Sequence, residues 1–157
     1  MRRRSNRLGR RFPTAVVAVA LSTGLGLIGA PAASAATNPY TPTEVCGAGY
    51  RVIASMPVDA TRKWGGVYLL YKTGGYNCVA TIKWSFIGTA TDTMAGLYQN
   101  SESPDGNHVD VGNYKYYAVA KGYTPGCVSY SGWISNGPEP SSTNVTAVAN
   151  SGWGWCG

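Results

Sequence analysis

Four cysteines, Cys46, Cys78, Cys127 and Cys156, stand far apart in a chain of 157 residues, and that spacing constrains the fold more than any other feature. A structural zinc site draws on ligands paired a few residues apart, and none of the four has such a neighbour. A catalytic thiol needs a base beside it to hold the thiolate, and the chain has one histidine, His108. All four cysteines also follow a leader that reads as an export signal, and outside the cytoplasm an even count of thiols pairs into disulfides. The cysteines are staples.

The leader is "MRRRSNRLGRRFPTAVVAVALSTGLGLIGAPAASA". Six arginines and no acid precede an apolar stretch, which ends in small residues at Ala33-Ser34-Ala35. A basic start, an apolar middle and an A-x-A site make a secretory signal peptide. Gly, Pro and Ser interrupt the apolar stretch, which a membrane-spanning helix would avoid. Residues 1–35 are expected to be cleaved, leaving residues 36–157 as one secreted domain with no membrane insertion.

Cleavage changes the electrostatic reading. The leader holds six of the 13 Lys+Arg, so seven remain against seven Asp+Glu. The basic pI belongs to the leader, and the rest is near neutral, with its cations scattered. Nucleic acid is excluded as a partner on that ground, and the basic pI is no evidence for an anionic membrane.

Which cysteines pair is left open, because four allow three connectivities. "KTGGYNCVATIKW" (72–84) and "KGYTPGCVSYSGW" (121–133) align on Lys, Cys-Val and Trp at one offset. If these are equivalent hairpins, the nested pairing Cys78–Cys127 with Cys46–Cys156 follows. The neighbour pairing, Cys46–Cys78 with Cys127–Cys156, competes with it.

Downstream of the leader the signals are those of strands. "ATNPYTPTE" (36–44) reads as an extended arm. "YRVIAS" (50–55) is a strand ending before Pro57. Residues 66–72 and 77–87 read as strands joined at Gly74-Gly75, whose positive φ suits a tight hairpin. "TDTMAGLYQN" is a further strand, and "SPDGN" a turn. Residues 108–123 form one long strand, or two broken at Gly112. "CVSYSGWIS" and "TNVTAVANSGW" complete the series. No segment sustains helical periodicity. The expected fold is all-β, a single antiparallel β-sandwich or small barrel of about seven or eight strands with two disulfides.

Catalytic constellations are thin. His108 is the sole base for a hydrolase triad and sits beside a turn, where a solvated imidazole is expected. Nothing selects two of the seven carboxylates as a glycosidase pair. Asp105, Asn107 and Asp110 fall short of a calcium loop, which needs a third oxygen ligand and a distal Glu. The chain is expected to be no enzyme, with no catalytic residue, cofactor or metal.

Aromatics are the remaining signal. Trp84 and Trp133 fall within strand patterns and are expected in the core. Trp64, Trp153 and Trp155 lie beside glycines, where rings can lie flat and exposed as sugar-stacking or protein-contact platforms. Trp153 and Trp155 are expected first to pack around the adjacent disulfide; should the aromatics form a contact surface instead, Trp64 and Trp153 are the expected binding surface.

"NPYTPTEVCGAGYRVI", then "VYLLY", "GYNCV" and a C-terminal "WCG", resemble the spore-associated protein A family of streptomycetes over essentially the whole chain past the leader. The resemblance implies a small secreted protein recovered with spores, having no recognised enzymatic activity and no defined active site. The leading expectation is a non-enzymatic extracellular protein on the spore or cell surface, a structural or adhesive module binding the wall and its glycan. The second is a secreted protease inhibitor, with a protease as partner and "YTPGC" (123–127) as the inhibitory loop. A small hydrolase built on His108 is third.

Overall fold

The computed structural model describes residues 36–100, 106–141 and 143–156. The expected signal peptide at 1–35 and most of the "SPDGN" turn lie outside the described residues.

Eight strands carry the fold: β1 (Arg51–Val58), β2 (Gly65–Lys72), β3 (Tyr76–Lys83), β4 (Thr91–Gln99), β5 (His108–Tyr114), β6 (Tyr117–Tyr123), β7 (Val128–Ser135) and β8 (Thr146–Asn150). They form two four-stranded antiparallel sheets, ordered β1-β2-β3-β6 and β5-β4-β7-β8. The expected all-β sandwich is the observed one. Between the sheets lie Val67, Leu69 and Val79 from the first and Ala95, Leu97, Tyr130 and Ile134 from the second, all buried. Gly74 and Gly75 take φ of 98° and 83°, so the β2–β3 hairpin closes on residues without a Cβ to clash.

The disulfides pair neighbours, Cys46–Cys78 and Cys127–Cys156, and the nested alternative is overturned. Its premise fails in the topology. β2 and β3 form a hairpin in one sheet, whereas β6 and β7, their supposed equivalents, belong to different sheets.

The arm expected at 36–44 is not wholly extended, because a helical turn, α1 (Pro42–Cys46), begins inside it. Thr41 and Glu44 form a reciprocal capping box and Pro42 opens the first turn, which is the local code for a helix start. This segment covers the outer face of the first sheet: Cys46 joins Leu70, Cys78, Ala80 and Ile82 in a second apolar cluster, with Val45, Tyr50 and Tyr117 at its rim. Asn38 ties the cover down by donating to the carbonyls of Lys83 (3.0 Å) and Tyr116 (2.8 Å).

Several boundaries move. β1 runs through Pro57, which an edge strand tolerates because its N–H is not needed. β3 stops at Lys83, where the chain turns. The break in 108–123 falls at Lys115 and Tyr116 rather than at Gly112.

Candidate functional site

The expected contact residues Trp64 and Trp153 are not brought together. Trp64 is half-buried, edge-on to Phe86 at 5.0 Å with the Arg62 guanidinium 5.2 Å from its ring. It precedes Gly65, whose Cα faces the Ile134 end of β7. Trp153 lies by the Val128 end of β7, next to the Val128–Gly154 bridge. At about 3.3 Å per residue, the length of β7 puts the two roughly 20 Å apart.

Trp84 and Trp133 leave the core positions expected of them. Trp84 is 45% exposed because β3 has already ended. Trp133 lies half-buried on the outer face of the second sheet, and its Nε1–H donates to Asp92 Oδ2 at 2.7 Å. Burial raises the Asp92 carboxyl, and the indole bond opposes that shift.

His108 is not a loop residue. It opens β5 and turns inward over Gly122, where a Cβ would fall 1.9 Å from its Nε2. That nitrogen is buried with no partner among the described residues. Asp110, two residues on, accepts from the Tyr114 hydroxyl and, at 2.9 Å, from the Val119 N–H. The pair Asp110–Tyr114 therefore closes the corner between the sheets, and it pushes the Tyr114 phenol up to about 12.

Around Trp153 the arrangement is different. Trp153 is 58% exposed and borders a shallow cleft of about 540 Å³ with Tyr98, Gln99, Asn107, Ser129 and Asn150. The cleft is one of register: Tyr98 pairs with Ser129 across β4 and β7, and the segment after β8 returns along the same edge. The Tyr98 ring lies back over Gly96, where a Cβ would meet its hydroxyl at 2.6 Å. Asn107 Oδ1 accepts the Gln99 N–H (3.4 Å) and Asn150 Oδ1 the Gly152 N–H (3.0 Å). Each bond orients an amide and leaves its nitrogen as a donor.

The floor under Trp153 is rigid. Gly154 and Val128 exchange both backbone bonds (2.9 and 3.0 Å). Ser151 Oγ accepts the Tyr130 N–H at 2.9 Å, and the Cys127–Cys156 disulfide closes the end. Trp155, with φ of 48°, leaves the extended path and packs edge-on to Tyr130 at 5.1 Å. Two flat rings and several neutral amides can stack on a sugar face and hydrogen-bond its hydroxyls. The pattern in sequence pointed to Trp153 but not to Tyr98, Gln99, Asn107 or Asn150, because only strand pairing assembles them.

The segment at 123–127, the expected inhibitory loop, is held against the β2–β3 turn. The Thr124 N–H donates to the Gly75 carbonyl at 2.8 Å, and Asn77 Nδ2 donates to the Thr124 carbonyl and hydroxyl.

These features define a small, two-disulfide β-sandwich with an aromatic, amide-lined cleft at one end. The chain is 41% identical over 122 residues to spore-associated protein A of Streptomyces coelicolor, a match that spans 74% of this chain and 75% of that protein. It belongs to the spore-associated protein A family. No protein-family model matches it, and no solved structure does.

Proposed function

We propose that this is a non-enzymatic, exported protein that attaches to the spore or cell-wall surface by binding glycan in the Trp153 cleft. The observation that carries this reading is the cleft itself: an exposed indole and a tyrosine ring flank oriented neutral amides on a rigid floor. The name of the Streptomyces relative, a spore-associated protein, supports the location, and the leader at 1–35 supports export. Three further facts favour binding over catalysis. His108 has its Nε2 buried, and Asp110 is committed to Tyr114 and Val119. Among the described residues the cleft also has no carboxylate in its lining.

The test is co-sedimentation of the secreted protein with spore walls, vegetative walls, chitin and cellulose. Saturable binding to one of these materials is expected. Trp153→Ala should weaken it about tenfold or more, as loss of a central aromatic anchor does. Trp64→Ala should leave affinity unchanged and lower stability instead, since its ring packs on Phe86 and the core. No saturable binding, or equal losses in both variants, would refute the assignment.

A further inference from the structure

A second depression, of about 450 Å³, opens where Trp155 meets the ends of β2 and β6. Tyr71, Tyr123 and Trp155 supply rings from three separate segments. Among the described residues Arg51 supplies the one charge in the lining, its guanidinium 5.2 Å from the Tyr71 ring centroid. No carboxylate among the described residues lines the groove, and Arg51 has no ion-pair partner among them. The polar floor is Asn77, 4% exposed, whose Nδ2 is spent on the Thr124 carbonyl (3.1 Å) and hydroxyl (2.9 Å). Asn77 Oδ1 is left as an acceptor.

These groups specify an occupant. A guanidinium lying on an aromatic face is weakly hydrated and presents a planar fork that matches a carboxylate. Rings on several sides favour a flat apolar face, and the volume is that of a small-ligand site. The floor offers Asn77 Oδ1 as an acceptor to an occupant that can donate. The rings of a proline-rich peptide would also stack here, but a proline seated over Asn77 has no N–H to donate. A sugar ring meets all three demands through its C–H face, its hydroxyls and an acid group.

We infer that this groove is a second saccharide site, specific for a sugar bearing a carboxylate. The ring packs among Tyr71, Tyr123 and Trp155, the acid pairs with Arg51, and a hydroxyl donates to Asn77 Oδ1. The inference rests on the glycan-binding reading and deepens it by fixing the charge of the ligand.

Isothermal titration of the full chain, expressed and processed in a secretory host, tests it. The probes are trigalacturonate, its methyl ester and neutral chitotriose. The acid should bind more tightly than its ester by about tenfold or more, the range of a charge-assisted hydrogen bond. Arg51→Gln should erase that preference, Arg51→Lys should restore part of it, and Trp153→Ala should leave it intact. Near-ultraviolet circular dichroism confirms that each variant is folded; Arg51 is exposed, so its replacement leaves the core alone. Equal affinity for acid and ester, no binding of either, or an unchanged preference in Arg51→Gln would overturn the proposal. So would displacement of the acid by a proline-rich peptide at lower concentration. Wall binding lost in Trp153→Ala but kept in Arg51→Gln, with no acid preference, would leave adhesion standing and this groove unassigned. An acid preference that depends on Arg51, with no wall binding at all, would do the reverse.

Discussion

Lys83 has no exposed surface, yet it carries an amine into the sandwich. Its Nζ donates to the Thr89 carbonyl (2.9 Å), the Thr91 hydroxyl (2.8 Å) and the Tyr114 carbonyl (3.0 Å). All three ammonium protons are used, but among the described residues no carboxylate pairs with the charge, and burial pushes the group down to about 8 from 10.5. Between those values the unfolded chain binds more protons than the native one, so stability rises with pH across the window. The tyrosines act the other way. Tyr50, Tyr68 and Tyr130 are raised by burial, and Tyr114 chiefly by its bond to Asp110. Their contribution is complete below the unfolded phenol value of about 10 and is lost above it. Denaturant midpoints should therefore climb from pH 8, peak near pH 10 and fall beyond. In Lys83→Met the climb should vanish while the fall remains; a climb of unchanged slope would exonerate Lys83. Nothing in "ATIKW" announces this role, because the three acceptors come from separate segments that only the fold assembles.

At the scale of elements, the two staples do different work. In the loop-entropy model each closes about thirty residues and removes unfolded-state freedom worth roughly 3–4 kcal/mol. Cys46–Cys78 is buried at both ends and fastens α1 and its flanks over the outer face of the first sheet. Cys127–Cys156 is half-exposed to exposed and fastens the segment that carries Trp153. Mild reductant on the native protein, followed by alkylation and mass spectrometry, should label Cys127 and Cys156 at least about tenfold faster, since access governs thiol exchange. Far-ultraviolet dichroism should persist while wall binding falls, as Trp153 loses its floor. Equal labelling of both pairs would show that the C-terminal segment is no more open than the core. The strands were largely readable, since turn residues and alternation mark them locally. The pairing of the cysteines was not. The 72–84 and 121–133 segments share residues, but whether two segments occupy one sheet or two depends on long-range register that their sequences do not encode. The α1 turn was legible in "TPTE", yet two prolines nearby favoured an extended reading.

For the whole molecule, the decisive quantity is charge. Past residue 35, seven Lys+Arg meet seven Asp+Glu, and the described residues lining the Trp153 cleft are all neutral. The proposed affinity for walls would then come from stacking and neutral hydrogen bonds, which salt does not screen. Trp153 could be picked out from its glycine neighbours, but the neutral groups around it come together only when β4, β7, β8 and the residue before β5 contribute one or two residues each. Raising sodium chloride from 50 to 500 mM shortens the Debye length from roughly 14 to 4 Å, enough to suppress exposed ionic attraction. Wall affinity should stay within about twofold over that range if the cleft dominates. Binding of trigalacturonate should weaken several-fold, because Arg51 is exposed and its pairing is open to counterions. Measuring both isotherms on one preparation separates the contributions. A steep salt dependence of wall binding in the Arg51→Gln variant would mean that the adhesion is ionic and lies outside the aromatic cleft.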